Sequence, residues 1–221
     1  MTNENRPTAR AFRDAFISSY GKLRLAFTSD RWAECWSLHP SAPVLALPSE
    51  NDRLPPEIQK SLLTLTAEEM GVRYSVREQL HLDAVFSSKE NSSTRKGWFP
   101  ILVAIEHEND RTGFETEVIK LLSVRCPLKV GITYSLYSEE AQVPGRLQEI
   151  LTYIRVDFER IRSVVEEESR TEYLFLVGVE LRKPEREISR WYSLDFRFCD
   201  GPQSRTFQLV EEIAQLQRGV A

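Results

Sequence analysis

Two neighbouring stretches, LHLDAVF (80–86) and WFPILVAIEHEN (98–109), decide the architecture. Residues 101–105 are apolar without a break, so a strand laid there buries side chains on both faces. Ile101, Val103 and Ile105 should point one way, and Leu102 and Ala104 the other. A strand covered twice belongs inside a sheet with helices above and below. LHLDAVF has β character and ends a loosely alternating run from Tyr74, so the two segments read as a long hairpin or as two neighbouring strands. The connector SSKENSSTRKG (87–97) carries Lys89, Arg95 and Lys96 among small polar residues. It is either a solvated hairpin tip or a contact for a phosphate backbone.

Working outward, a helix is expected from about Thr112, with Phe114, Val118, Leu121 and Leu122 as its apolar stripe and Pro127 as its stop. LKVGITYSLY (128–137) then reads as a buried strand. A long helix follows Pro144-Gly145, with Leu147, Ile150, Leu151, Ile154, Phe158, Ile161 and Val165 inward. EYLFLVGVEL (172–181) is another buried strand, WYSLDFRF (191–198) its partner, and a C-terminal helix carrying Phe207, Val210, Ile213 and Leu216 closes the chain. Upstream, Ala11, Phe12, Phe16 and Tyr20 fall at helical spacing, and a second amphipathic segment from about Ser29 carries Trp32, Cys35 and Trp36. The proline-punctuated stretch from Pro40 to Pro56 should be irregular. A third helix is expected over Glu57 to Met70, with Ile58, Leu62 and Leu65 inward. Helices followed by strand-strand-helix-strand-helix-strand-strand-helix describe one α/β domain with helices on both faces of its sheet. Residues 1–55 form an N-terminal helical extension and 145–219 complete the sheet.

Composition narrows the function. The 221 residues are 41% hydrophobic and 28% charged, enough for a sizeable core. Lys and Arg total 29 against 33 Asp and Glu, a net charge of −4 that excludes a basic nucleic-acid coat but not a local basic surface. No apolar run approaches the roughly 20 residues needed to cross a bilayer, and MTNENRPTAR lacks a secretory signal, so a cytoplasmic protein is expected. Cys35, Cys126 and Cys199 sit among apolar neighbours and read as reduced core thiols. The G-x-S-x-G elbow, P-loop, G-x-G-x-x-G and paired C-x-x-C are all absent, and His39, His81 and His107 have no ligand spacing.

What remains is acidic. Glu106 and Glu108 lie two apart on one strand, so both side chains leave the face shared with Leu102 and Ala104. Asp83 ends the strand before it. If these strands are neighbours, three carboxylates converge at one sheet edge, where charges lose hydration and repel unless a cation or donor compensates. Grouped hard oxygens suit Mg²⁺ or Mn²⁺; the competing reading is an ordinary hairpin end, its acids solvated or paired with Arg77 or Arg111. His107 points opposite to the glutamates, as a buried, hydrogen-bonded histidine would. Glu68 and Glu69 either add an acidic group or are a solvated helix end. Arg190, Trp191, Tyr192 and Arg197 either grip a strand of nucleic acid or, for the aromatics, belong to the core.

These residues resemble the PD-(D/E)xK nuclease-like superfamily, whose pattern is a helix, an antiparallel strand pair bearing Asp and then Glu-x-Lys, a helix and a parallel strand. Asp83 matches the Asp and Glu106 the Glu, while Glu108 occupies the Lys position. TGFETEVIKLL and LKVGITYS match the helix and strand that follow, so the resemblance spans residues 57–137. It implies a restriction-endonuclease-like core with a mixed central sheet and a Mg²⁺- or Mn²⁺-dependent nuclease acting on DNA, for which a homodimer would suit duplex cleavage. Asp83, Glu106 and the carbonyl of His107 would hold metal. Glu108, helped by Lys120 as a relocated ammonium group, would handle the attacking water; Lys120 also stands three residues after Glu117, as a helix-surface pair would. Glu at the Lys position occurs in members that have lost activity as well, so an inactive binding or assembly protein of the same fold is the alternative.

Overall fold

The computed structural model describes residues 6–26, 44, 60–75, 82–88, 100–108, 113–165, 169–181 and 188–212. Along them run α1 (Ala9–Ala26), α2 (Leu62–Glu69), β1 (Arg73–Ser75), β2 (Ala84–Ser87), β3 (Ile101–Glu108), α3 (Phe114–Ser123), β4 (Leu128–Ser138), a 3₁₀ turn, α4 (Val143–Arg162), β5 (Glu172–Leu181), β6 (Ile188–Arg197) and β7 (Gln208–Glu212). The strands form one mixed sheet in chain order, β1 to β7. β3, β4 and β5 are mutually parallel, and the pairings outside them are antiparallel.

The two β-α-β units explain the layering. β3-α3-β4 and β4-α4-β5 step in the same direction across the sheet, and crossovers of one handedness then put both helices on one face. On that face Phe114, Val118 and Leu121 of α3 and Leu151, Ile154 and Phe158 of α4 pack on Ala104, Tyr173, Phe175, Leu194 and Phe196. On the other, Phe12, Phe16 and Tyr20 of α1 and Leu62, Leu63 and Ala67 of α2 pack on Val103, Ile105, Val130, Ile132, Leu174 and Trp191. β3 is therefore covered twice, as its apolar run requires. No helix among the described residues is long and apolar enough to cross a membrane.

Several expectations are corrected. Residues 208–212 are a strand along β6 rather than the start of a helix: β6 offers an open row of backbone donors and acceptors, and pairing with it outweighs the helical spacing of Phe207 and Val210. Ile213 and Leu216 lie outside the described residues. The two ends of the run from Tyr74 to Phe86 lie in separate strands, β1 and β2, paired antiparallel with Tyr74 opposite Phe86, and residues 76–81 lie outside the described residues. Alternation slips at the start of β3: Leu102 joins Val103 in the α1 cluster while Ile101 packs on the opposite side, beside the register shift at Phe86 and Ser87. α2 begins at Leu62, later than Glu57, because Ser61 caps it by accepting from the Thr64 amide. Cys126 is buried as expected, but Cys199 is exposed in the turn after β6. Trp191 is fully buried edge-on against Phe16 and Tyr20, so its reading as core holds. Cys35, the segment from Ser29 carrying Trp32 and Trp36, Ile58, and Lys89, Arg95 and Lys96 of the connector lie outside the described residues.

Candidate metal centre

β2 and β3 pair with Ala84 opposite Ile105, which sets Asp83, one residue before β2, beside Glu106. Asp83 is fixed there by the backbone amide of His107, which donates to its Oδ2 at 2.8 Å. Glu106 lies on the α3 side of β3, and Glu117, one turn into α3, comes down to meet it. One carboxylate oxygen from each of Asp83, Glu106 and Glu117 lies within 4.8 Å of the other two.

Glu106 is the most constrained member. It has no exposed surface, and neither of its oxygens has a hydrogen-bond partner among the described residues. The groups facing it are the carboxyls of Glu117 and Asp83, so among the described residues only a shared proton can lie between them. Burial, reinforced by Glu117 and Asp83, pushes its carboxyl up to about 10. Burial also raises Asp83, against the pull of the His107 amide. Such a group is neutral only if it holds protons, or charged only if a cation sits among its oxygens.

Lys120 supplies the one basic group bonded to the cluster among the described residues. Its Nζ donates to Oε1 of Glu117 at 2.8 Å and to Oε2 at 2.6 Å. Desolvation pulls this ammonium down, but the Glu117 bonds and the charges of Glu106, Glu117 and Asp83 outweigh it and hold the group above its ordinary value. The helix-surface pairing with Glu117 is thus present, and it also leaves Lys120 at the rim of the acidic group.

The cluster differs from the expected trio in one member. Asp83 and Glu106 come together, whereas Glu108 is not among the three that converge. Its side chain lies over the start of α3, where a Cβ on Gly113 would collide with its Oε2; a carboxylate at a helix N-terminus is favoured by the helix dipole. Glu117 takes the third place. Spacing alone makes Glu117 a partner for Lys120, yet position 117 also falls between Phe114 and Leu121 on the buried stripe of α3, where an acidic residue is out of place unless it has a task.

His107 sends its ring to the opposite face, as expected, where Nε2 lies 2.9 Å from the Tyr134 hydroxyl. Burial depresses the imidazole to about 3, so it stays neutral. A strand residue's N–H and C=O leave the same edge, so the His107 carbonyl faces the edge where its amide already meets Asp83. Glu68 and Glu69 are surface ion pairs, with Lys60 at 2.9 Å and Lys22 at 2.8 Å, apart from the cluster.

A scan of protein-family models and a search of curated proteins both return no match to this chain.

Proposed function

We propose that the chain is a divalent-metal-dependent nuclease with a restriction-endonuclease-like core, acting on DNA. The observation that carries the reading is Glu106: a fully buried carboxyl group with no donor among the described residues, facing two further carboxyls. The donor set fits Mg²⁺ or Mn²⁺, hard ions that take oxygen ligands and keep part of their water. The order α2, β1, β2, β3, α3, β4, with Asp83 before β2, Glu106 on β3 and a parallel β4, supports the resemblance to the superfamily.

Asp83, Glu106 and Glu117 would hold the ion, with the His107 carbonyl as a further oxygen. A divalent ion held there supplies Lewis-acid chemistry, withdrawing charge from a scissile phosphate. The chain's own residues do the rest. The His107 amide orients Asp83, Glu117 fixes the Lys120 ammonium through two hydrogen bonds, and that ammonium stands ready to donate to the phosphate or to the water attacking it. Lys120 takes over the task expected of Glu108, which is held at the α3 N-terminus.

The placement of Glu108 favours one competing reading, a cation-binding protein of the same fold that does not cut. Plasmid and single-stranded DNA incubated with the protein in Mn²⁺ separate the two. Cutting by the wild type, lost in Glu106→Gln and in Lys120→Met, is expected. Mn²⁺ binding without cutting of either substrate would assign the chain to the non-catalytic reading.

A further inference from the structure

We infer that His107 and Tyr134 form a positioning strut behind the sheet, through which a hydroxyl that never touches the acids sets how tightly they hold a cation; the affinity part rests on the cation site proposed above. The β2–β3 register sets Asp83 beside Glu106, and its carboxylate is oriented by the bond its Oδ2 accepts from the His107 amide at 2.8 Å. The main chain at His107 therefore sets how the Asp83 carboxylate is turned towards Glu106. That main chain runs in the parallel ladder of β3 with β4, and the ring it carries is buried on the α1 face and adds a tie to β4, 2.9 Å from the Tyr134 hydroxyl.

Tyr134 is itself held on several sides. Its ring meets His107 with centroids 5.4 Å apart and Trp191 at 5.9 Å. Beneath it lies Gly178, where an added Cβ would stand 2.8 Å from Tyr134 Cδ1. β5 thus supplies a bare backbone where a side chain would crowd both Tyr134 and Trp191. The chain of contacts runs from Gly178 and Trp191 through the Tyr134 hydroxyl and the His107 ring to the His107 amide, and so to Asp83. His107 Nδ1 has no hydrogen-bond partner among the described residues, so the Tyr134 bond is the polar anchor of the ring.

Tyr134→Phe removes the hydroxyl and keeps the ring; His107→Phe keeps a flat ring and removes its nitrogens, and serves if the first variant does not fold. Phe158→Leu, in the core of the opposite face, is the destabilised control. Two readouts are taken: exchange of the His107 amide by NMR, and the Mn²⁺ dissociation constant by calorimetry. Losing one hydrogen bond of ordinary strength should speed the amide and weaken Mn²⁺ by about fivefold each, beyond any change in the control. Unchanged amide exchange in the strut variants overturns the inference whatever the affinity. Faster exchange with unchanged affinity overturns it too, since the strut would then hold the strand but not the ligands. Should the wild type bind no Mn²⁺, the cation site fails and the strut is judged on the amide alone.

Discussion

Replacing Glu106 by Gln should stabilise the metal-free protein in alkali and remove its pH dependence there. Glu106 has an ordinary value of 4.5 and is pushed to about 10 by burial and by its acidic neighbours. Between about pH 7 and pH 9 the folded state therefore holds a proton that the unfolded state has lost. Stability gained from that proton is complete below the unfolded value and drains away as pH rises towards the folded one. One proton corresponds to about 1.4 kcal/mol per pH unit, so the window removes ~3 kcal/mol. For a chain of this size that lowers the melting temperature by ~6–12 °C. Asp83, also raised, contributes with the same sign as pH rises above its ordinary value of 3.8. His107 is depressed from 6.5 to about 3 and acts with opposite sign below this window, where stability falls as pH falls and the imidazole must charge. Calorimetric melting in EDTA should show the slope in the wild type and its loss in Glu106→Gln. Saturating Mn²⁺ should flatten the wild type as well, because the cation replaces the proton. A wild-type melting temperature that is flat from pH 7 to pH 9, or that slides in parallel with Glu106→Gln, would refute the reasoning.

Other consequences are independent of that slope. Mn²⁺ at a hundred times its dissociation constant should stabilise the wild type by about 2.7 kcal/mol by mass action, whereas Glu117→Gln and Asp83→Asn should respond much less in the same melting assay. Lys129, fully buried on the α3 face, donates to the Leu122 carbonyl at 3.2 Å and the Tyr173 hydroxyl at 3.3 Å; Lys129→Ala leaves a cavity and two buried acceptors, and should cost roughly 3 kcal/mol or more in urea unfolding. Gly131→Ala would place a Cβ 2.7 Å from Phe175 Cδ1 and should cost about 1–3 kcal/mol as an overpacked core, read by the same unfolding curve.

The pairing of Asp83 with Glu106 was legible because it needs only two facts: an apolar strand long enough to lie inside the sheet, and a preceding strand that must pair with it. The ring of His107 was likewise placed on the opposite face by alternation alone. The third carboxylate was not foreseen, because whether Glu108 or Glu117 completes the group depends on how α3 settles over β3, and sequence spacing carries no such angle. Glu108 stands at the end of its strand, where it leans to the helix N-terminus, while Glu117 is carried inward by Phe114, Val118 and Leu121. β7 was missed for a similar reason: its five residues carry only a weak period, and the open edge of β6, not local preference, decides their conformation. Lys129 was passed over among the apolar residues of LKVGITYSLY, although a lysine in a strand covered on both faces is as much a signal as Glu117.

Crystals soaked in Mn²⁺ and measured for anomalous scattering test the proposed centre most directly. An anomalous peak about 2.1 Å from carboxylate oxygens of Asp83, Glu106 and Glu117 is expected. A fully soaked crystal with no peak there, and oxygens of the three carboxylates still within 4.8 Å of one another, would contradict a cation site and leave shared protons as what holds the acids together.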